Sequence, residues 1–506
     1  MIRHGVALLL LSFVAFMPQL LSDEWRGTEA RRVEIAREMY ETGDWMVPRL
    51  GQEPTLTKPP LYYWVLASFQ HFGRDPFWMR LPSVLSFWLL ALACYFPLRR
   101  HYSGRSAVIG AAGVLLSPMV LEHVPYAEID PMFAALTAIS IVWLAEGAAF
   151  GGRGRIFAAG VIGGLALMTK GPPYFLFLAG SILVWYRRRR LSGAMWFFPP
   201  LLALPAAYYV PLLLWHVPPD EMASVAGEES VGRVTLFTLA NVLETPWYLL
   251  RAVAAVLPLG LWAFHEYRGD REMREATVLD HKETFLRISA AAMVGAVLIL
   301  LFFPGRAGRY LLPGVPCFLI ALGPAVAAYT RFRTTPSLVL VPCVRALGLI
   351  ACVGLLVTPW VPFPYHGRTP WLLLALALAP LVVRDRVRVV GYALLLPVIA
   401  AWTVLPDRTE RKSVPPRSYA AVGEVLTREV DRLEADDLAS WGYISSQFLL
   451  DGEVIPGDER GRSEPTAGWL MTEEPRAARG DASPSGYFDR VRVQLSDRVV
   501  VLKQRR

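Results

Sequence analysis

The feature that most constrains this chain is a recurrence. Blocks of predominantly apolar residues follow one another from residue 5 to about residue 405. A helix needs about 20 such residues to cross a hydrocarbon core, and so many blocks of that kind do not fit inside one soluble domain. On this length criterion about thirteen spans can be drawn: 5–21, 80–98, 106–121, 131–149, 156–169, 172–186, 194–215, 247–264, 286–304, 309–328, 337–358, 370–383 and 388–405. The blocks lack the two-residue alternation of a membrane barrel. The predicted class is mainly α, a polytopic helical membrane protein. Only 19% of residues are charged, below the roughly 25% of soluble domains.

The formal charge of +8 does not point to nucleic acid. The arginines stand in short clusters between spans: Arg99 and Arg100, Arg153 and Arg155, Arg187 to Arg190, Arg331 and Arg333, then Arg384, Arg386 and Arg388. With Arg3 inside and the spans alternating, every one of these clusters falls on the inner side, the positive-inside pattern. The run Met1 to Leu21 has no small-x-small cleavage site before Asp23 and reads as a retained first span. The outer segments are then 22–79, 122–130, the turn at Lys170, 216–246, 305–308 and 359–369, with residues 406–506 also outside.

Two regions divide the chain, a membrane module over 1–405 and a polar segment over 406–506. In the second, 418–433 has helical spacing of Ala421, Val425, Leu426 and Val430, and 490–504 alternates and turns near Ser496 and Asp497 as a hairpin does. A small external α/β domain is expected there, with 456–485 as a loop. The four cysteines, Cys94, Cys317, Cys343 and Cys352, all lie in apolar blocks, so neither a disulfide nor a cysteine metal site is expected.

The first outer loop, 22–79, is too long to be a mere connector. Its segment 28–40 puts Val33, Ala36, Met39 and Tyr40 on one stripe, with Arg31, Glu34, Arg37 and Glu38 mostly facing away. That predicts an amphipathic helix along the membrane surface, with Thr28 as N-cap and Gly43 as C-cap. A second short helix is expected from Leu61 to about Phe72. Lys58 and Pro59 both precede a proline, which stiffens the backbone around the Lys58 ammonium. Tyr62, Tyr63 and Trp64 follow as interfacial aromatics.

The outer side also gathers Glu29, Glu128 and Asp130 ("YAEIDPMF"), Lys170 ("LMTKGPP"), and Arg306, Arg309 and Tyr310 ("GRAGRYLLP"). Acids alone suit a cation. Acids mixed with lysine and arginine suit an anionic head group held by cations, beside a carboxylate that takes a proton from a hydroxyl. Several of these residues also have plain structural readings: Lys58 and Lys170 as snorkelling lysines, Asp130 as the cap of a helix with Pro131 at its first position. His123, His216 and His366 are external and far apart in sequence, so a divalent metal is left open as a cofactor.

The ordered set "GTEARRVEIAREMYETGDWMVPRL…KPPLYYW", "FWMRLPS", "IDPMF", "TKGP" and "RYLLP" resembles the bacterial GT-C glycosyltransferases, among them the aminoarabinose transferases of lipid A and the protein O-mannosyltransferases. The resemblance covers about residues 1–405. It implies the GT-C architecture of thirteen spans with juxtamembrane helices on the periplasmic side of the inner (plasma) membrane. It also implies a sugar donor carried on polyprenyl phosphate, attack at the anomeric carbon with inversion, and cations stabilising the departing lipid phosphate. The acceptor group, a hydroxyl or a phosphate, stays open between lipid A, a protein Ser or Thr, and an envelope glycan.

By the same resemblance, an acid of the first outer loop is the base. The family's Asp-Glu pair aligns with Thr28 and Glu29, so the aspartate is missing and Glu29 becomes the candidate, with Asp23 as the alternative. Asp130 is the supporting acid. Lys58, Lys170, Arg306 and Arg309 are the phosphate-side candidates, with Tyr310, Tyr62 and Arg32 beside them. Thr57 stands where the aminoarabinose transferases tend to have glutamate before Lys-Pro-Pro. A transporter or lipid flippase is the alternative class, and it would be expected to carry ionisable residues at mid-membrane.

Overall fold

The computed structural model describes residues 2–21, 28–50, 53–217, 280–301, 308–320 and 322–324, scattered positions between 245 and 256, and five strands between 432 and 505. The helices fall where the apolar blocks predict them: α1 (Ile2–Leu20), α4 (Pro76–His101), α5 (Gly104–Leu115), α7 (Ile129–Phe150), α8 (Arg153–Lys170), α9 (Tyr174–Arg189), α10 (Ala194–Trp215) and α11 (Asp280–Leu300). Among the described residues, α4, α7, α10 and α11 are long and apolar enough to cross a membrane. The expected spans at 337–358, 370–383 and 388–405 lie outside the described residues, as does most of 247–264.

Two expectations change in detail. The block 106–121 is not one helix: it breaks after α5 and resumes as α6 (Pro118–His123). Ser117 precedes Pro118 and is extended, φ −60° and ψ 134°, because the proline ring disfavours the helical region for the residue before it. The block 309–328 begins as a 3-10 turn, Gly308–Leu311, followed by α12 (Gly314–Leu319). The pair across 156–186 is two helices, turned at Gly171, whose φ of +78° a side chain would strain.

Helix α7 is the centre of the bundle: 83% of its most apolar window is buried, against 22% for the peripheral α10. Close helix approach is built on glycine. A Cβ at Gly180 in α9 would lie 2.1 Å from the Ala291 carbonyl oxygen of α11, and one at Gly295 would lie 2.7 Å from the Gly180 Cα. Small residues at such crossings let backbones pack without a hydrophobic drive between helices. Ser181 adds a hydrogen bond to the Ile288 carbonyl at 2.9 Å.

Charged residues gather at both ends of the bundle. At one end Glu146 accepts from Arg100 at 2.5 Å and His101 at 3.0 Å and lies 3.7 Å from Arg155, while Arg188 donates to Asp280 at 3.1 Å. The opposite end carries the first loop. There α2 (Glu29–Thr42) buries Val33, Ala36 and Met39 as expected. Its buried face is wider than the stripe, since Ile35 and Glu34 are also buried, and Glu34 is paired with Arg37. Gly43 closes the helix at φ +71°. A two-stranded ribbon, β1 (Arg49–Leu50) and β2 (Glu53–Pro54), leads to α3 (Leu61–Phe69).

In the C-terminal region β3 (Arg432–Ala435), β4 (Glu453–Pro456), β5 (Trp469–Pro475), β6 (Tyr487–Gln494) and β7 (Arg498–Arg505) form one sheet in the order β4-β3-β5-β7-β6. The expected hairpin is β6 and β7, antiparallel. The loop expected over 456–485 is corrected: β5 is the middle strand, parallel to β3 and antiparallel to β7. The helix expected over 418–433 lies outside the described residues up to the start of β3.

Candidate active site

The polar groups of the end that carries the first loop sort into two sets. The first is closed. Glu29, the first residue of α2, is fully buried. Its carboxylate accepts from Arg80 Nε at 2.9 Å and Nη2 at 2.8 Å, and from the Ala127 N–H at 2.6 Å. Arg80, itself 1% exposed, also donates to the Gln19 carbonyl at 2.6 Å. One ion pair thus ties the end of α1, the start of α2, the start of α4 and the loop before α7. The side chain expected to face an acceptor is enclosed instead. Arg80 was not singled out in the sequence, although it is the only charge in "FWMRLPS". Asp23 lies outside the described residues.

The second set is open. Asp130, one residue into α7, binds Lys170 through Oδ1 and faces Arg309 Nε through Oδ2 at 3.3 Å. It is therefore not the expected cap; Glu128 holds that position. Lys170 ends α8, and its ammonium sits 5.0 Å from the Tyr310 ring centre and 5.6 Å from that of Phe133. Arg309 lies over Tyr310 at 5.8 Å and is 55% exposed, so its guanidinium can turn towards a ligand. The structure thus brings together Asp130, Lys170, Arg309 and Tyr310 from three separate outer segments. Arg306 lies outside the described residues.

The Lys-Pro-Pro stretch sits beside this set. Pro59 lies 3.8 Å from where a Cβ at Gly171 would stand, next to Lys170. Lys58 donates to the Thr57 carbonyl at 3.0 Å. Tyr62 is not part of this set: it is fully buried, with its hydroxyl 3.2 Å from Ser83 Oγ. Tyr63 is the tyrosine that meets Arg32, whose Nη1 donates to its hydroxyl at 2.9 Å. Burial works against the Arg32 charge, but Tyr63 and the carboxylates of Glu128 and Asp130 outweigh it and hold its pKa above the ordinary arginine value. Burial, with Arg32 beside it, pulls Arg31 the other way. Arg31 and Arg32 each keep a buried Nε–H without a hydrogen-bond partner, a costly state in a dry site. Arg31 was expected to face away from the helix's apolar stripe.

Glu128 belongs to this open set too. It was visible among the outer acids but was not chosen as a site residue. It is half-buried, and Thr28 donates to it from backbone and hydroxyl. The Thr28 side chain makes no cap bond to α2 as a result. Among the described residues no three His, Cys, Asp or Glu side chains come together as a metal site.

A family model for dolichyl-phosphate-mannose-protein mannosyltransferase matches residues 6–196. An undecaprenyl phosphate-alpha-4-amino-4-deoxy-L-arabinose arabinosyl transferase from Edwardsiella ictaluri is 36% identical over 191 residues, 36% of this chain and 34% of the relative. The enzyme of that name from Erwinia tasmaniensis is 28% identical over 381 residues, 70% of this chain and 65% of the relative. The chain thus matches between a third and just under two thirds of these relatives' lengths. The crystal structure of ArnT from Cupriavidus metallidurans bound to undecaprenyl phosphate superposes with a TM-score of 0.71 at 18% identity, covering 98% of this chain and 97% of that one. That likeness shows a shared fold. In its fold and in its sequence, most clearly over residues 6–196, the chain resembles the bacterial GT-C glycosyltransferases of the aminoarabinose-transferase and protein-mannosyltransferase type.

Proposed function

We propose that the protein is a glycosyltransferase that moves a sugar from a polyprenyl-phosphate carrier to an acceptor O–H on lipid A, a protein or an envelope glycan, with inversion at the anomeric carbon. The observation that carries this is the Lys170–Asp130–Arg309 bridge, with Arg32 close enough to feel the Asp130 charge and keeping an unused N–H. A phosphate leaving group gains charge as its bond to the sugar breaks. Preplaced cations that meet that charge lower the barrier, and guanidinium groups suit phosphate oxygens. Asp130 holds two of those cations apart until the donor arrives, and Tyr310 offers a ring beside them. Lys58 and Arg306 are further phosphate-side residues in this reading.

The similarity to enzymes named for undecaprenyl phosphate-aminoarabinose transfer supports this donor class, and lipid A is the acceptor we favour. In this reading the protein is a multi-pass inner-membrane protein of thirteen spans with the open end periplasmic. Residues 1–405 are the catalytic module, and 406–506 form a separate external domain that contributes to acceptor choice. The flippase alternative gains little support: among the described residues the buried acids are Glu29 and Glu34 in the short polar helix α2 and Glu146 in the last turns of α7, and all three are paired.

The test is transfer by the purified, reconstituted protein from undecaprenyl-phosphate-linked sugars, 4-amino-4-deoxy-L-arabinose first and hexoses next, to lipid A or a membrane fraction, read by mass spectrometry. Added sugar on an acceptor, with undecaprenyl phosphate released, is the expected result. Carrier crossing the bilayer with its sugar intact would establish the flippase instead.

A further inference from the structure

Glu128 is placed where its carboxylate has no structural partner in its own helix. It precedes α7 with φ −115° and ψ 154° and makes no cap bond there. It reaches 100 residues back along the chain instead. Oε1 accepts from the Thr28 N–H at 3.1 Å, and the Thr28 hydroxyl lies 2.8 Å from Oε1 and 2.9 Å from Oε2. One hydroxyl proton serves only one of those oxygens, and a carboxylate accepts about four bonds. Glu128 therefore keeps acceptor capacity, and it is half-buried beside an exposed Thr28. This sets it apart from Glu29, whose oxygens meet Arg80 and the Ala127 N–H out of reach of solvent.

In the register that the resemblance implies, Thr28 also stands in place of the first acid of an Asp-Glu pair. Thr28 Oγ1 and the carboxyl carbon of an aspartate are both one bond from Cβ. A carboxylate 2.8 Å from Oγ1 thus lies next to the volume an acid at position 28 would reach. We propose, resting on the glycosyltransferase reading, that Glu128 is the catalytic base, delivered from α7 to the position that Thr28 leaves without an acid. In the step, Glu128 takes the proton of the attacking acceptor O–H, and that oxygen forms its bond to the anomeric carbon. The bond from that carbon to the phosphate oxygen breaks, and its electron pair leaves with the polyprenyl phosphate towards Lys170 and Arg309. The proton ends on Glu128. Glu29 is then a positioning residue that fixes the start of α2, and with it Thr28. Arg32 on α2, Asp130 on α7, Glu29 and Thr28 are the charged and polar groups that face the Glu128 carboxylate.

The experiment compares wild type, Glu128→Gln, Glu128→Asp and the double variant Thr28→Asp/Glu128→Gln in the reconstituted transfer assay. Undecaprenyl phosphate binding is measured in parallel. General-base catalysis contributes about 10²–10⁴-fold, so E128Q is expected to lose at least about a hundredfold in kcat while binding undecaprenyl phosphate as wild type does. E128D retains part of the rate, and T28D in the E128Q background restores part of it. Retention of wild-type kcat by E128Q overturns the inference. So does joint loss of transfer and of undecaprenyl phosphate binding, which marks Glu128 as structural, and so does failure of both E128D and the double variant to recover rate. A wild type that transfers no sugar from any donor overturns the glycosyltransferase reading, and the role of Glu128 with it. A wild type that transfers while E128Q matches it removes Glu128 alone.

Discussion

Arg80 meets Glu29 across 51 residues with two parallel hydrogen bonds of 2.9 and 2.8 Å, and neither side chain is more than 1% exposed. Breaking one side of such a pair strands the other charge in a dry site, at a cost of about 3–5 kcal/mol. Replacing both charges by apolar groups of similar volume is often close to neutral. Arg80→Met is therefore expected to lower the unfolding temperature of the detergent-solubilised protein sharply. The double variant Arg80→Met/Glu29→Gln should recover much of the loss. Equal damage in single and double variants would mean that the neighbouring contacts of Arg80, with Gln19 and the Tyr126 ring, matter more than its charge.

The Asp130 bridge makes a ranked prediction for the donor. Lys170 is 17% exposed, and Arg309 is 55% exposed, so solvent screens the lysine less. Lys170→Ala should weaken undecaprenyl phosphate binding about tenfold, the loss of one partly buried charge-assisted contact. Arg309→Ala should weaken it less, and its effect should shrink further as salt is raised. Binding to nanodisc-embedded protein at two ionic strengths measures both. The reverse order would place the phosphate on the Arg309 side of the bridge.

The chemistry of this cluster was legible in the sequence, and its geometry was not. Asp130, Lys170 and Arg309 declare themselves because acids and bases of both signs recur in the few short segments between spans on the same predicted side. Nothing local says that they meet, since the contact joins three loops through the packing of α7, α8 and the turn before α12. Arg80 was overlooked because a lone basic residue near a span end reads as snorkelling, and only the tertiary structure shows it pointing inward to Glu29. Glu128 stands out only as one of several outer acids, and position assigns the cap to Asp130; its reach to Thr28 depends on how α2 lies against α7. The break between α5 and α6 was readable in Ser117-Pro118, yet the apolar run on either side hid it. β5 was missed because "WLMTEEP" carries too little alternation to read as a strand.

The Glu128 environment predicts opposite pH trends in stability and activity. Burial raises its carboxyl above the ordinary glutamate value; Asp130 and Glu29 add to this, while Arg32 and the Thr28 hydrogen bond hold it back. A carboxyl raised in the folded state favours its protonated form there. Its stabilisation is complete below the unfolded pKa and is lost as pH rises through the folded one. The stability of wild type relative to E128Q should thus fall as pH climbs through that window. Transfer should rise over the same window, because the base acts only once its proton has gone. Thermal unfolding and initial rates across a pH series would show the two curves crossing. A rate already flat at the ordinary carboxyl range would place the titrating group elsewhere.

The crossing of α9 and α11 makes the last prediction. A methyl group on Gly180 would fall 2.1 Å from the Ala291 carbonyl oxygen, and that oxygen is backbone, so it cannot swing aside as a side-chain tip does. The two helices would have to part along the line where Gly180 faces Gly295 and Ser181 bonds Ile288. Opening that line forfeits dispersion contacts and the interhelical hydrogen bond, and lipid offers no hydrophobic drive to close it again. Gly180→Leu should therefore cut the yield of folded protein and lower its unfolding temperature, with Gly180→Ala intermediate. Gly154, in the first turn of α8, has nothing within 4 Å of its Cβ position. Gly154→Ala should leave stability unchanged or raise it by about 0.4–1 kcal/mol through the unfolded chain. If the two alanine variants behaved alike in the same scan, the α9–α11 contact would not be what holds α11 (Asp280–Leu300) against the bundle.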